Sequence, residues 1–267
     1  MRSGLKSVLA TAGAVDRRPA TGATILIYHR VGGGTEDELD TPTAQFAAQL
    51  DALVAGSHDV VALDTALDRL AAGDPTPSVV LTFDDGFADV AERAHPLLAE
   101  RQLPYTVYLT AGLVGGDMRW EGSDASSQGA LALTWHQVEE LVASGLCTIG
   151  NHTFDHSRPE ATDESQLDRC SDVVVEALGE ERRPRHFAWT WGIEAPALRV
   201  AIAERFRSAA TGTLGRNQPG EDPLALRRVP VRRSDPLRFF EAKLRGGLLP
   251  ERAYGRIVAT AKALRRG

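Results

Sequence analysis

The sequence predicts an α/β fold in the form of a single barrel with parallel strands. Short apolar runs of strand length recur along the chain, and helical patterns separate most of them, which is the alternation typical of a parallel sheet. The runs VVLTF and YTVYL are almost continuously apolar, as expected for strands buried on both faces. The 267 residues are 43% hydrophobic and 25% charged, a globular composition that suffices for one large core or two modest ones.

Each predicted strand is a short apolar run bounded by turn residues or by a helical pattern. In chain order the strands are expected at Thr24–Tyr28, Val79–Phe83, Tyr105–Leu109, Cys147–Gly150, Phe187–Trp189, Ser208–Ala210 and Arg228–Val231. Strands that alternate with helices favour a barrel over an antiparallel sandwich.

The helices are predicted from their start and stop signals. Pro42 opens an amphipathic helix that Gly56 ends. Thr134 and Gln137 resemble a capping box, which introduces a second helix that stops at Gly145. Similar periodicity marks Glu164–Leu178, Ala195–Arg205, Arg252–Leu264 and Phe87–Arg101, the last interrupted by Pro96.

Between the strand and helix patterns, the Gly-, Ser- and Asp-rich stretch Leu113–Leu133 is too long for an ordinary connection. Trp120 is its only large aromatic residue. The stretch is either part of a functional rim or a mobile surface insertion.

The chain is expected to comprise an N-terminal extension at 1–22, a barrel at 23–250 and a basic helix at 251–267 that packs on the barrel. Both ends carry basic residues, namely Arg2, Lys6, Arg17 and Arg18 at one and Arg252, Arg256, Lys262, Arg265 and Arg266 at the other. These ends could contact an anionic membrane surface. Alternatively, the C-terminal cations complement the dipole of a solvated helix.

Composition and charge argue against several other classes of protein. The net charge of −6 gives no general affinity for nucleic acid. Cys147 and Cys170 are too few for a disulfide framework and fit a reducing compartment. No apolar run approaches the roughly 20 residues of a membrane-spanning helix. Lys6 and Ser7 interrupt the apolar stretch that a signal peptide needs, so a cytoplasmic location is expected.

Two adjacent carboxylates follow the second predicted strand. Asp84 and Asp85 would lie at the carboxyl end of a parallel strand, where ligands bind in such folds. Adjacent residues of an extended chain point to opposite sides, so one carboxylate could bind a metal while the other takes protons. A turn or a helix N-cap is the simpler alternative.

Two histidines follow the fourth predicted strand at a spacing of four residues. On one helical turn this spacing would place His152 and His156 on the same side, where both could bind one zinc ion. Two histidines and one carboxylate are a catalytic metal arrangement. The alternative is that both are surface or capping histidines. The presence of the aspartate pair after another strand makes this alternative less favourable.

These motifs resemble those of the polysaccharide deacetylases, carbohydrate esterase family 4, whose domain is also named after nodulation protein B. The resemblance rests on TFDDG at Thr82–Gly86 and HTFDH at His152–His156, and it runs from about residue 24 to about residue 235. The YHRV stretch at Tyr28–Val31 is similar to a subgroup that begins with such a strand. LTWHQVEELVASG at Leu133–Gly145 and LRRVPV at Leu226–Val231 also resemble family segments.

The resemblance implies a distorted barrel of the (β/α)7 type with a divalent metal ion, most commonly zinc. It assigns the metal ligands as Asp85, His152 and His156, and it makes Asp84 the base that activates water at the metal. The amine that leaves an acetamide must be protonated, which calls for an acid on the far side of the reacting carbon.

Most relatives take this acid from a motif near the carboxyl end, but this chain has no histidine after His186. The subgroup resemblance makes His29 the candidate, because the first and last strands of a barrel are neighbours. A packed strand-end histidine is the alternative. Either Arg228 or Arg185 is expected to pair with Asp84, and Arg228 matches the subgroup pattern better.

The third family motif usually reads like FAYPYG, whereas Phe187–Gly192 reads FAWTWG, with Thr190 where proline is usual. In relatives a backbone N–H of this turn helps to hold the oxyanion, and Trp191 occupies the matching position. Trp189 and Trp191 could contact sugar through their ring faces or simply pack in the protein.

The leading functional hypothesis is a metal-dependent hydrolase that removes N-acetyl groups from acetamido sugars of a polysaccharide, oligosaccharide or glycoconjugate precursor. The same metal site could serve an O-acetyl esterase or an amide hydrolase of small molecules. A carbohydrate-binding protein without turnover is a third hypothesis, suggested by the altered third motif, although the presence of Asp84 argues against it.

Overall fold

The computed structural model describes residues 2–13, 20–56, 58–123, 129–246 and 248–263. Four of the basic residues named above, Arg17, Arg18, Arg265 and Arg266, lie outside these ranges, as does the last residue of the predicted C-terminal helix, Leu264.

The strands of the described chain are β1 (Ala23–Tyr28), β2 (Arg30–Val31), β3 (Asp40–Thr41), β4 (Ser78–Phe83), β5 (Tyr105–Leu109), β6 (Cys147–Asn151), β7 (His186–Ala188), β8 (Ser208–Leu214) and β9 (Leu226–Pro230). A closed barrel contains β1 and β4 to β9 in chain order, and every neighbouring pair is parallel. The first and last strands close it, with Leu26 opposite Val229. The predicted α/β barrel of parallel strands is therefore confirmed.

The barrel strands coincide with the predicted ones to within a few residues. The largest difference is β8, which continues to Leu214 instead of ending at Ala210. Its last residues include threonine and glycine and become exposed, so the apolar pattern that predicts a strand stops before the backbone pairing does. Strand β6 includes Asn151 because that polar side chain is buried and hydrogen-bonded to Ser171 at 2.9 Å.

The helices are α1 (Arg2–Gly13), α2 (Thr43–Ala55), α3 (Leu63–Ala71), α4 (His95–Glu100), α5 (Trp135–Ala143), α6 (Glu164–Leu178), α7 (Arg199–Arg205), α8 (Leu237–Leu244) and α9 (Leu249–Ala263). The capping box at the start of α5 has both of its hydrogen bonds between Thr134 and Gln137. A π-helical turn precedes α4, which places Pro96 in the first helical turn, where its missing N–H is harmless.

The two faces of the barrel strands contribute to different parts of the core. Along β1 and β4, Leu26 and Leu81 belong to the large cluster that includes residues of the surrounding helices. The alternating neighbours Ile25 and Val80 belong to a second cluster with Tyr108. Because successive side chains of a strand point to opposite sides, this alternation divides the core into two clusters, and α3 contributes Leu63, Ala66 and Leu67 to the second.

A buried ionic cluster joins the two ends of the chain. Lys6 of α1 and Lys243 of α8 place their Nζ atoms 2.6 and 2.5 Å from the two carboxylate oxygens of Asp235, and Glu251 of α9 lies 3.1 Å from Lys243. All four side chains are nearly inaccessible to solvent. Burial alone would raise the pKa of Asp235, but the two ammonium groups lower it below its usual value. Within the described part of the chain, each helix is too short or too polar to cross a membrane.

Replacing Asp235 by alanine should lower the free energy of unfolding by about 3–5 kcal/mol, because buried Lys6 loses its nearest counter-charge and buried Lys243 keeps only Glu251 within the described chain. Since the pKa of Asp235 is lowered in the folded protein, its stabilisation is present above the usual aspartate value and is lost as the pH falls below it. Denaturant unfolding at pH 7 and at about pH 3, which is below the usual aspartate pKa, measures both effects.

The matched control is Glu180→Ala, which removes an exposed partner of Arg183 and should destabilise the protein far less than Asp235→Ala. Equal losses of stability in the two variants would contradict a structural role for the buried cluster.

Candidate active site

The structure brings the predicted site residues to one cavity at the carboxyl ends of the barrel strands. The cavity has a volume of about 260 Å³, and its lining includes Asp84, Asp85, His152, His156, His29, Arg228 and Trp191. Asp84 and Asp85 follow β4, His152 follows β6, and Arg228 lies on β9. Barrel closure therefore gathers residues that are as far apart in sequence as His29 and Arg228.

Three of these residues form a compact set of donor atoms. The Oδ1 atom of Asp85 lies 3.2 Å from Nε2 of His152 and 3.3 Å from Nε2 of His156. The three donor atoms lie within 4.8 Å of one another, and all three side chains are buried. Two imidazole nitrogens and one carboxylate oxygen are a donor set that suits zinc.

The backbone around these donors is unusual. Asp85, Thr153, His156 and Trp191 have φ angles of 74°, 65°, 57° and 60°. Residues other than glycine seldom adopt this left-handed region, and such residues cluster at functional sites when the surrounding structure holds them there. The positive φ at His156 also means that His152 and His156 converge across an irregular turn, rather than along one helical turn as their spacing suggested.

A second layer of hydrogen bonds holds the turn that carries the two histidines. Nδ1 of His152 donates to the carbonyl oxygen of Ala188 over 2.8 Å, which leaves Nε2 free to bind a metal. The side-chain oxygen of Asn151 accepts from the backbone N–H of Thr153. The side-chain oxygen of Gln166, at the start of α6, accepts from the backbone N–H groups of Phe154 and Asp155.

Sequence reasoning missed Asn151 and Gln166 as supporting residues. Asn151 precedes the histidine motif and could have been suspected as a polar residue at the end of an apolar strand. No local pattern indicates Gln166, because its role depends on how α6 packs against the turn.

Asp84 forms a buried ion pair with Arg228. Nη1 of Arg228 donates to Oδ1 of Asp84 over 2.6 Å, and Nε of Arg228 donates to the carbonyl oxygen of Thr211 over 2.9 Å. Both side chains of the pair are at most 3% exposed. The other candidate, Arg185, is largely exposed and lies 3.7 Å from Asp64 instead. Of the two predicted arginines, Arg228 is therefore the one that contacts Asp84.

The charges around Asp84 determine its protonation. Burial alone would raise the pKa of this carboxyl, but Arg228, His152 and His29 together lower it below its usual value. Burial likewise opposes the ionised form of Asp85, and its contacts with His152 and His156 hold the pKa well below the usual range. Both carboxylates are therefore ionised at neutral pH.

His29 lies half-buried on the wall of the cavity, one residue beyond the end of β1. Its Nδ1 atom is buried and has no hydrogen-bond partner among the described residues. The ring is close enough to contribute to the lowered pKa of both aspartates. This position agrees with access to a bound substrate and does not resemble a histidine packed in the core.

The two tryptophans of the third motif have different environments. Trp189 is 4% exposed and packs edge-on against Phe187 at a centroid distance of 5.0 Å, so it belongs to the core. Trp191 is 44% exposed and lies on the cavity wall, 5.6 Å from the ring of His156. Between them, Thr190 is buried and its hydroxyl donates to the carbonyl oxygen of Ser157 over 2.8 Å. A proline could not make this bond, which joins the third motif to the histidine turn.

The Leu113–Leu133 stretch, as far as it is described, is part of the cavity rim. Trp120 and Ser123 line the cavity. The Trp120 ring lies 4.3 Å from that of His156, measured between centroids. The described residues of this stretch therefore contribute to the cavity wall.

The Arg228→Met variant should be destabilised by about 3–5 kcal/mol at pH 7, because it leaves the Asp84 carboxylate buried without its counter-charge. The Arg228→Met/Asp84→Asn double variant should recover most of this loss. The pKa of Asp84 should rise in Arg228→Met, so protonation at lower pH should also restore stability relative to the wild type. Denaturant unfolding of the wild type, Arg228→Met, Asp84→Asn and the double variant provides the measurement. Purely additive losses would contradict direct coupling of the pair.

Comparison with known proteins gives a consistent family relationship. The polysaccharide deacetylase family model matches residues 71–205. The solved structure of IcaB from Ammonifex degensii is 30% identical, covers 80% of this chain and 93% of its own, and superposes with a TM-score of 0.69. The Streptococcus pyogenes deacetylase PplD shares the fold at 19% identity and a TM-score of 0.69, over 85% of this chain and 99% of its own.

Two further relatives match in part. YxkH of Bacillus subtilis (strain 168) is 27% identical over 135 residues, which are 49% of this chain and 42% of that protein. The poly-β-1,6-N-acetyl-D-glucosamine N-deacetylase of Escherichia coli (strain K12) is 26% identical over 144 residues, 51% of this chain and 21% of that protein. The matches thus span less than half the length of either relative.

Proposed function

Because the chain belongs to the polysaccharide deacetylase family, we propose that it is a metal-dependent hydrolase that removes N-acetyl groups from acetamido sugars of a polysaccharide, oligosaccharide or glycoconjugate precursor. The observation that carries this proposal is the buried donor set of Asp85, His152 and His156 beside the Asp84–Arg228 pair. The name of the Escherichia coli relative supports β-1,6-linked N-acetylglucosamine as a first substrate to test.

The donor set supports a resident divalent ion, most simply Zn²⁺. Asp85, His152 and His156 would be its protein ligands, and a set of three leaves coordination positions for water and substrate. The bond from His152 to Ala188 fixes the imidazole tautomer, as is usual for a metal ligand. When bound, such an ion polarises an acetyl carbonyl and lowers the pKa of water.

Asp84 is the proposed base. Its lowered pKa keeps the carboxylate ready to accept a proton at neutral pH, and Arg228 restrains its orientation through the 2.6 Å bond. Arg228 occupies one carboxylate oxygen, Oδ1, while the other, Oδ2, lies 4.0 Å from Nε2 of His152 and therefore on the side of the donor set. In this proposal Oδ2 takes the proton from the attacking water.

His29 is the proposed acid, and the turn at Trp191 is the proposed oxyanion contact. A protonated His29 would donate to the departing amine nitrogen, since an unprotonated amine is a poor leaving group. The backbone N–H of Trp191 would donate to the oxygen that gains negative charge, a role that depends on the left-handed turn and not on the indole.

Incubation of the metal-loaded protein with a panel of N-acetylated and O-acetylated saccharides should release acetate. Asp84→Asn preserves the shape of the side chain but removes the base, so the rate should fall by about 10²- to 10⁴-fold. Chelation should abolish release, and addition of Zn²⁺ should restore it.

The panel also distinguishes the alternative activities. Release from O-acetyl sugars alone would contradict N-deacetylation and favour the esterase. Saccharide binding without any release would favour the non-catalytic carbohydrate-binding protein. Equal rates for the wild type and Asp84→Asn would contradict the proposed base.

The role of His29 can be tested through the leaving group. His29→Gln should lower kcat for an acetamide by about 10²-fold or more, because the amine then leaves without its proton donor. Hydrolysis of 4-nitrophenyl acetate should change much less, since a phenolate leaves without protonation. Equal losses for the two substrates would contradict the assignment of His29 as the acid.

A further inference from the structure

The described parts of the Leu113–Leu133 stretch, residues 113–123 and 129–133, pair with each other and with the chain that follows Asp84 and Asp85. Residues 116–118 form a first arm and residues 130–133 a second. The N–H of Met118 donates to the carbonyl oxygen of Ala130, and that of Ala132 donates to the carbonyl oxygen of Gly116, each over 2.9 Å. The second arm also pairs with the chain around Asp84 and Asp85, because the N–H of Leu133 donates to the carbonyl oxygen of Gly86 over 2.9 Å. The position of the segment is therefore coupled to that of the proposed base.

A small apolar cluster fixes the side chain that this segment presents to the cavity. Phe87, Met118, Ala130 and Ala132 are buried together, and Trp120 packs against them. The Trp120 ring meets Phe87 at a centroid distance of 6.4 Å and lies half-buried on the cavity wall. The indole is thus held in place by the protein while part of its surface remains open to the cavity.

Trp120 and Trp191 flank His156 from two different loops. The ring centroid of Trp120 is 4.3 Å from that of His156, and Trp191 lies 5.6 Å away from it. Gly122 lies close to both Trp191 and Arg158, because a side chain there would come within 3.5 Å of the Trp191 ring and closer still to Arg158. Aromatic carbon therefore covers the side of the cleft next to the proposed metal ligands.

We propose that Trp120 is a substrate-contacting residue that determines specificity for a hexosamine ring. This inference rests on the proposed function and adds a contact for the sugar to the contacts for its acetyl group. The C–H faces of a pyranose are apolar, and they gain free energy by lying on a rigid aromatic surface. A cavity of about 260 Å³ is small for a ligand pocket, so a sugar residue bound in it would lie close to this wall.

The test compares a sugar substrate with an acetyl ester that has no sugar. Trp120→Ala should raise KM for a β-1,6-linked N-acetylglucosamine tetramer by about 10- to 100-fold. The same variant should hydrolyse 4-nitrophenyl acetate within about 3-fold of the wild type and should keep its Zn²⁺ affinity. Trp135→Ala is the matched control, because Trp135 is the first residue of α5, packs against the large core cluster away from the cavity and should leave KM for the tetramer unchanged.

Two outcomes of these activity measurements would overturn the proposal. If Trp120→Ala lost the tetramer and ester activities equally and bound Zn²⁺ more weakly, Trp120 would only support His156. If it changed neither activity, the wall would not contact substrate.

Binding separates this inference from the proposed function. Calorimetry of the tetramer with zinc-loaded Asp84→Asn and Asp84→Asn/Trp120→Ala should give an affinity about 10- to 100-fold lower for the double variant. If the wild type released no acetate but binding still depended on Trp120, the proposed function would fail and the sugar contact would stand. Absence of tetramer binding, or equal affinities, would overturn the contact.

Discussion

The adjacent carboxylates Asp84 and Asp85 are both buried and ionised at the mouth of the barrel, and the site around them compensates their charge. Asp84 receives its compensation from Arg228, which lies on the last strand. Asp85 faces the imidazoles of His152 and His156, which both follow β6. A buried charge without a partner would cost several kcal/mol. All three partners are distant in the sequence from the carboxylates that they compensate. Closure of the sheet between β1 and β9 brings Arg228 to Asp84, and pairing of β4 with β5 and of β5 with β6 brings the two histidines to Asp85.

The backbone conformation at Asp85 directs the two adjacent carboxylates to different partners. Asp85 adopts a left-handed backbone conformation, and its carboxylate faces the two histidines while that of Asp84 bonds to Arg228. Further left-handed residues at Thr153, His156 and Trp191 bring the other loops to the same point. The surrounding hydrogen bonds, including that from Thr190 to Ser157, hold these turns in place. In this account, geometry at the site is maintained by support from neighbouring loops.

Much of the fold and the site follows from local patterns. The seven strands are buried apolar runs, α6 spans the predicted Glu164–Leu178, and the capping box of α5 is a signal of only four residues. Features that depend on distant partners could not be predicted. Sequence reasoning did not identify α3 or α8, the paired end of β8, the support from Gln166, or the buried Lys6–Asp235 pair between residues 229 positions apart. The choice between Arg185 and Arg228 likewise required the structure, because the sequence does not determine which of the two side chains points towards Asp84.

The central claim is that Asp85, His152 and His156 together hold one divalent ion, and a zinc titration of the metal-free protein tests it most directly. Calorimetry should show one Zn²⁺ bound per chain for the wild type and for His136→Ala, whose imidazole is exposed on α5 and pairs only with Glu140 among the described residues. His152→Ala should bind the ion at least about 100-fold more weakly, because it loses one of three protein ligands. Equal zinc affinity in His152→Ala and the wild type would contradict the account.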